Sequence, residues 1–424
     1  MLRVLSARRV ALALLLTVVS LLSWSFAAAQ TTCGILYRDL STGKLMLLRS
    51  QDGEKESIET SSVQISRAML SPDHKLLAVA LLDTGQEVEG QRAGTQLFDL
   101  TSTPPKLVDT IMLHFPVAWS HLSDRLLMRR TITAAGLYQI YDVSKQAVVP
   151  LRQIAAPISG SPFLNARNLI FLNVASALWS PDDSTIALLA NEQPFPQDAE
   201  GANYGVYVIT DQPMAQRLSS RSTVSDPLGW LRDGRLLFEE CTDIGCTWNL
   251  IYADGANQVV VRPLFNDLRY VYNRLSPDGQ NAIYLSSSVS EPELVNLNLL
   301  KPLSGESRRL DRFYDVVPPV ISWSANSRNF TYAAPVTANI DSPFVPVIVD
   351  TDSGEAERIE TLRVGLRSSG DWTPDSSIAL LTAQQDGTSA LFTYQPTTQQ
   401  LIILTQPAPD IVDVQFDARW VCLP

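Results

Sequence analysis

The stretch Leu178–Ala190, LWSPDDSTIALLA, carries the pattern that decides the fold. Trp179 is followed by Ser-Pro-Asp, in which proline suits the second position of a type I turn and Asp182 suits the position after it. The next segment, TIALLA, is apolar and predicts a buried strand. The stretch therefore predicts the corner of a β-hairpin, although its aromatic, proline and two acids resemble a functional site.

The pattern occurs seven times along the chain, which makes it a structural repeat. The copies are separated by 45 to 60 residues, and each begins with an anchor residue: Leu70, Trp119, Trp179, Trp230, Leu275, Trp323 and Trp372. A period of about 50 residues without a helical pattern favours a β-propeller blade over a solenoid coil. The sequence therefore predicts an all-β fold.

A second strand pair follows each anchor motif, as in PVIVDTDSGEAERI at 346–359 and ALFTYQPTTQQLIIL at 390–404. Two hairpins for each repeat predict four-stranded antiparallel blades. The stretch CGILYRDLSTGKLMLL at 33–48 has the pattern of a second hairpin, and VDVQFDARWVC at 412–422 has that of a first, with Phe416 as its anchor. We therefore expect eight blades, the last one built from two strands of each terminus and closing the ring; seven blades is the alternative.

The first 29 residues predict a secretory signal peptide. Arg3, Arg8 and Arg9 precede an apolar run at 10–24, and three alanines at 27–29 suit cleavage. The apolar run is shorter than the roughly 20 residues of a membrane-spanning helix, and no later stretch approaches that length. We expect residues 30–424 to form a single propeller domain that is exported to the periplasm, the cell envelope or the medium, without a transmembrane helix.

Four cysteines in an exported chain predict two disulfides. Cys241 and Cys246 enclose a short turn-forming segment, so they suit a local bond. Cys33 and Cys422 then remain, and their pairing would join the two ends of the chain.

The WSPDG-type hairpin followed by a second strand pair resembles the TolB-like WD-type β-propeller repeat, over essentially all of the chain after residue 29. This resemblance implies the propeller fold but not one activity, because such propellers serve as protein-binding platforms, as gating domains of prolyl oligopeptidase-type peptidases and occasionally as enzymes. The copies vary: the second has His121-Leu122, and the sixth has Ala325-Asn326, in place of Pro-Asp. We expect neither the extra N-terminal domain of TolB nor a peptidase domain, since Gly-x-Ser-x-Gly is absent from the sequence.

Candidate catalytic and metal-binding residues are few. His74, His114 and His121 are the only histidines, and we interpret them as turn or surface residues rather than a metal cluster. Glu239 and Glu240 are adjacent on a strand and so point to opposite faces, which favours a solvated edge over an acid–base pair. We therefore predict no catalytic residues, no metal and no cofactor.

The repeated aspartates and tryptophans have structural interpretations as well. We expect the aspartates to cap their own turns rather than ring a cation, and the tryptophans to pack between blades rather than form a sugar-binding platform. The residues concerned are Asp73, Asp182, Asp233, Asp278 and Asp375, and Trp119, Trp179, Trp230, Trp323 and Trp372.

Unequal loop lengths are the one asymmetry that points to function. The long segments are 83–94, 191–205 and the connection 152–177. All should rise from the face opposite the Ser-Pro-Asp turns, and long loops on a rigid scaffold often carry binding, although tolerated insertion is the alternative. The candidate partner-binding residues on them are Glu87, Glu89, Arg92, Phe195, Asp198, Glu200 and Tyr204.

These observations predict an exported, monomeric, non-enzymatic scaffold that binds a protein or peptide partner through the long-loop face. The alternative is an enzyme or carbohydrate-binding protein with a site in the central channel; a calcium ion held by channel oxygens is a weaker third. The formal net charge is −11, and the leader contributes three of the arginines, so the exported chain is more acidic still. Nucleic acid is therefore excluded as a partner.

Overall fold

The structure is a computed structural model, and all of its described secondary structure is β-strand. It describes residues 32–39, 42–49, 55–60, 65–81, 93–130, 137–150, 171–192, 205–209, 216–220, 224–242, 245–256, 258–265, 271, 274–287, 290–291, 293–316, 319–339, 341–365, 370–386, 388–404 and 418–423. Within these ranges no helix is long and apolar enough to cross a membrane.

The chain begins with three strands and then forms consecutive four-stranded antiparallel units. The opening strands are β1 (Thr32–Arg38), β2 (Leu45–Arg49) and β3 (Lys55–Ile58). Unit 1 contains β4 (Ile65–Leu70), β5 (Leu76–Leu81), β6 (Gly94–Asp99) and β7 (Lys106–Met112). Unit 2 contains β8 (His114–Trp119), β9 (Arg125–Arg130), β10 (Leu137–Asp142) and β11 (Ala147–Pro150).

The next units repeat this order. Unit 3 contains β12 (Phe171–Trp179), β13 (Ile186–Glu192), β14 (Gly205–Ile209) and β15 (Gln216–Arg217). Unit 4 contains β16 (Val224–Trp230), β17 (Arg235–Thr242), β18 (Gly245–Tyr252) and β19 (Val259–Phe265). Unit 5 contains β20 (Ala282–Ser287), β21 (Leu294–Leu300) and β22 (Ser307–Tyr314), and its anchor Leu275 forms a single bridge to Ala282 in place of a first strand.

Units 6 and 7 share one sheet. Unit 6 contains β23 (Ser322–Trp323), β24 (Asn329–Pro335), β25 (Phe344–Asp350) and β26 (Ala356–Arg358). The short strand β27 (Arg363–Val364) pairs with β25 on one side and with unit 7 on the other. Unit 7 contains β28 (Asp371–Trp372), β29 (Ala379–Gln385), β30 (Thr388–Gln395) and β31 (Gln400–Ile403).

The last strand of the chain, β32 (Arg419–Leu423), completes unit 8 with the three opening strands in the order β3-β2-β1-β32. Among the described residues, the N-terminal part of the chain supplies three strands of this unit and the C-terminal part supplies one, so the expected division into two strands from each terminus is wrong. Trp420 lies in β32 and donates its backbone N–H to the Asp371 carboxylate at 2.7 Å. Asp371 is the residue before the unit 7 anchor, so this bond joins units 7 and 8. Trp420 thus takes the anchor position that the sequence assigns to Phe416, a residue outside the described ranges.

Both disulfides join neighbouring antiparallel strands. Cys33 and Cys422 are register partners in β1 and β32 with Cα atoms 4.0 Å apart, so the predicted bond between them is confirmed. Cys241 and Cys246 are register partners in β17 and β18 and are also bonded.

The apolar core lies between units rather than within one. Leu97 of unit 1 is buried in one cluster with Trp119 of unit 2. Leu36 and Val421 of unit 8 are buried in one cluster with Leu77 of unit 1. At both of these junctions, apolar side chains of one unit are buried against those of its neighbour, which keeps them from water.

Candidate functional site

Strand direction divides the molecule into two edges. Because the strands of a unit are antiparallel and consecutive, the turns between first and second strands all lie at one edge, which we call the turn face. The loops between second and third strands, and the connections between units, lie at the other edge, which we call the loop face. The two edges differ in the length of their connecting segments and in the hydrogen bonds of their polar side chains.

The three long segments have their roots on the loop face of units 1 to 3. Residues 82–92 follow β5, residues 151–170 join β11 to β12, and residues 193–204 follow β13. The candidates Glu87, Glu89, Arg92, Phe195, Asp198, Glu200 and Tyr204 lie outside the described residues. The strand ends nevertheless put the origins of these segments on one edge of three consecutive units.

The described loop face of unit 2 carries polar and basic side chains. His114 begins β8, and its ring nitrogens lie 2.6 Å from the Met112 carbonyl oxygen and 2.6 Å from Gln139 Oε1. Arg129 and Arg130 end β9, and Arg130 is the register partner of His114. The sequence did not predict this group of basic side chains, since its three members come from two strands.

On the turn face, the motif aspartates bind the backbone of their own turns. Asp182 Oδ1 accepts the Ser180 hydroxyl at 2.6 Å and the Ser184 N–H at 3.1 Å, and these hydrogen bonds lower the pKa of Asp182. Asp375 accepts the Thr373 hydroxyl at 2.6 Å, and the pKa of this carboxyl is lowered in the same way. Equivalent N–H bonds reach Asp73, Asp233 and Asp278 at 3.0 to 3.2 Å. The turns thus use the carboxylate oxygens that a shared cation would need.

A second set of bonds on the turn face joins neighbouring units. The donor is a backbone N–H of one anchor turn, and the acceptor is the side chain four residues after the anchor of the next unit. The acceptors are Ser123, Asp183, Ser327, Ser376 and His74, with donor–acceptor distances of 2.8 to 3.0 Å. Each acceptor has a positive φ between 56° and 63°. Sequence reasoning missed this position because its side chain varies between copies.

His74 is the imidazole member of this set, and it lies where unit 8 meets unit 1. The Cys422 N–H donates to His74 Nδ1 at 2.9 Å, so this nitrogen is unprotonated in the bond. Burial lowers the pKa of His74, while the nearby carboxylates of Asp371 and Asp73 oppose the shift. His74 therefore stabilises the junction in its neutral form.

The tryptophan anchors bind the unit before them. In four of them the indole Nε1–H donates to a backbone carbonyl of the preceding unit, at 3.0 to 3.2 Å. These are Trp119, Trp179, Trp230 and Trp372. Trp323 packs its ring 4.9 Å from that of Phe330 in its own unit. Trp119, Trp179, Trp230 and Trp372 are also buried, so they lie between units as packing residues.

Glu239 is buried, so the expectation of a solvated edge is wrong for this residue. Its carboxylate accepts Arg274 Nη1 at 2.8 Å and Trp248 Nε1 at 2.7 Å, and the side chain of Arg274 is 4% exposed. Arg274 comes from the next unit, which is why the burial could not be read from the local sequence. Glu239 also lies near Cys241 and Cys246, but both sulfurs are in the disulfide and cannot serve as thiolate metal ligands.

One carboxylate lies on a first strand between units 7 and 8. Asp371 accepts the Trp420 N–H and lies 3.4 Å from Arg419 Nη1. Burial raises the pKa of Asp371, and the Arg419 charge opposes that shift. Among the described residues this is a paired structural carboxylate, and no second acid joins it to form an acid–base pair.

Comparisons with known proteins identify the fold. No protein-family model matches the chain, and no curated protein sequence matches it. Among solved structures, dihydro-heme d1 dehydrogenase NirN is 13% identical, with 89% of this chain and 74% of that chain covered and a TM-score of 0.54. AztD from Citrobacter koseri is 10% identical, with 92% and 98% covered and a TM-score of 0.52. TolB from Acinetobacter baumannii is 14% identical, with 84% and 81% covered and a TM-score of 0.38.

The chain has a β-propeller fold similar to those of NirN and AztD, as the repeat predicts. Structures of this fold include a dehydrogenase, so the fold by itself assigns no activity. Two disulfides are typical of proteins that fold in an oxidising compartment outside the cytoplasm.

Proposed function

We propose that the protein is an exported, monomeric, non-enzymatic propeller that binds a protein or peptide partner through its loop face. The observation that supports this most is the common origin of the three long segments on the loop face of units 1 to 3. Variable segments on a rigid scaffold are the usual place for recognition, because the scaffold fixes their roots while their tips are free to vary. The turn face, by contrast, directs its polar groups into bonds within and between units.

We infer that the propeller is closed and has eight blades, each corresponding to one unit. The apolar clusters support this, because they connect each unit to the next and include one between units 8 and 1. The Cys33–Cys422 bond and the Cys422 N–H bond to His74 support closure at the same place. An experimental map showing eight sheets around one axis is the expected result, and seven sheets would contradict the inference.

We infer that residues 1–29 are a signal peptide removed during export. The basic start, the apolar run and the small residues at 27–29 support this, together with the two disulfides. Mass spectrometry of the exported protein should find Gln30 at its N-terminus. A retained Met1 on protein recovered from outside the cytoplasm would contradict cleavage.

The test of partner binding replaces residues 194–203 with Gly-Ser-Gly in the full chain. We expect capture of a partner from a native envelope extract to be lost while the melting temperature stays within about 2 °C, which is the result for a segment that serves recognition rather than the core. A matched control changes the turn face: Leu303→Ser alters an apolar side chain that is 63% exposed, and capture should persist. Unaltered capture after loop replacement would overturn the proposal.

A further inference from the structure

Two consecutive arginines end β9 at the loop face, between the roots of the long segments. Leu126 and Met128 of this strand pack between units 1 and 2, whereas Leu127 packs between units 2 and 3. Because side chains alternate along a strand, Arg130 lies on the first side and Arg129 on the second. The two guanidinium groups therefore diverge from one strand end.

Neither guanidinium has a partner among the described residues. The Nε–H groups of Arg129 and Arg130 are both buried and donate no hydrogen bond to any residue in the described part of the chain. Arg125, at the start of the same strand, behaves differently, since its Nη2 donates to the Asp183 carbonyl at 3.0 Å. Buried donors are normally satisfied, so two adjacent arginines without a hydrogen-bond partner at one strand end are unusual.

Arg67 of unit 1 extends this basic surface. It pairs with Ala80, ten residues after its anchor, which is the same level of the unit as Arg129. Its side chain is exposed. Three arginines near the loop face of units 1 and 2 contrast with the formal net charge of −11.

We propose that Arg129 and Arg130 bind carboxylate groups of an extended acidic segment of the partner protein. The planar guanidinium fork matches a carboxylate and binds it with two parallel hydrogen bonds. Since the two side chains diverge, one small anion does not bridge them, whereas successive acidic side chains of an extended segment reach both. This inference rests on the proposed function and specifies the chemistry of its partner.

The experiment measures binding of a fluorescein-labelled octaglutamate peptide to the full exported chain by fluorescence anisotropy. We expect binding that weakens as salt rises toward about 150 mM, because salt screens charge pairs. R129Q/R130Q should weaken binding by about tenfold or more, and R129K/R130K should be intermediate because it keeps the charge but loses the fork.

The matched control is R328Q/R363Q, which makes the same change of charge at exposed arginines of units 6 and 7. It should alter the affinity by less than about twofold, since long-range charge is screened. Equal loss in both variants, or no binding by the unaltered protein, would overturn the proposal. The proposal would also be overturned if R129Q/R130Q had a lower melting temperature and the unaltered protein did not bind the peptide. The arginines would then pair with acidic segments of the chain itself.

The outcomes separate this inference from the proposed function. If R129Q/R130Q still captures the native partner while replacement of 194–203 abolishes capture, the loop face binds a partner that is not held by these arginines. If neither change affects capture, the proposed function itself fails.

Discussion

Removal of the Cys33–Cys422 disulfide is the sharpest test of how the fold is held together. This bond links residues separated by 389 positions, whereas Cys241–Cys246 links residues separated by 5. The loss of unfolded-chain entropy grows with the logarithm of loop length and corresponds to about 6 kcal/mol for the long loop and about 2 kcal/mol for the short one. The double variants C33A/C422A and C241A/C246A should therefore differ by about 4 kcal/mol in free energy of unfolding.

The assay is urea unfolding of the oxidised variants, followed by tryptophan fluorescence and by far-ultraviolet circular dichroism. Since a domain is stable by only about 5–15 kcal/mol, C33A/C422A should lose a large part of its stability, and the control should lose little. The slope of the transition should be steeper for C33A/C422A than for the control, because the unfolded chain without the long crosslink is less compact and exposes more surface. A difference below about 1 kcal/mol between the variants would refute the reasoning from loop length.

Three further perturbations test individual contacts. Because the pKa of His74 is lowered in the folded state, its contribution to the free energy of unfolding is present above the ordinary histidine pKa and is lost as pH falls through the folded value. The melting temperature should therefore fall less between about pH 7 and 5 in H74S than in the unaltered protein. Arg274→Met leaves Glu239 charged and buried, which should cost about 3–5 kcal/mol in urea unfolding, and the added change Glu239→Met should recover most of it. Gly370 and Gly234 have φ of +75° and +82°, but only at Gly370 would a Cβ meet backbone, at 2.6 Å. Gly370→Ala should therefore lose about 2 kcal/mol more stability than Gly234→Ala, and equal losses would exclude the clash.

The repeat could be predicted from the sequence because its signals are local. Pro181 and Asp182 specify a turn within a few residues, and the apolar stretch after them specifies a strand, so neither depends on distant contacts. The spacing of such copies then predicts a propeller. The Cys33–Cys422 bond was also predictable, since the other two cysteines enclose a short turn.

The composition of unit 8 could not be predicted, for a physical reason. The hairpin of β1 and β2 has the same pattern of apolar strands and polar turn whether its strands are second and third or third and fourth in a unit. The choice depends on pairing with β32 at the far end of the chain. Trp420 is moreover followed by Val421 and Cys422 rather than by Ser-Pro-Asp, so the motif does not mark it as an anchor.

The same limit applies to the candidate site. Glu239 is buried by Arg274 from the next unit, and the acceptor role of His74 depends on an N–H from the opposite end of the chain. Arg129 and Arg130 could not be recognised as arginines without a described hydrogen-bond partner, because a local pattern does not predict which distant residues lie beside them. The seven loop candidates lie outside the described residues and stay predictions.

The division of unit 8 into three strands and one has a consequence for the order of folding. During synthesis the strands β1 to β3 precede all other described strands, yet one edge of β1 pairs with β32 at the far end of the chain. Contacts between residues so distant form late, because the whole intervening chain must be ordered before they are favourable. Until then β1 presents an open edge to other chains, and such edges promote aggregation. The slowest and most vulnerable step of maturation should therefore be the arrival of residues 419–423.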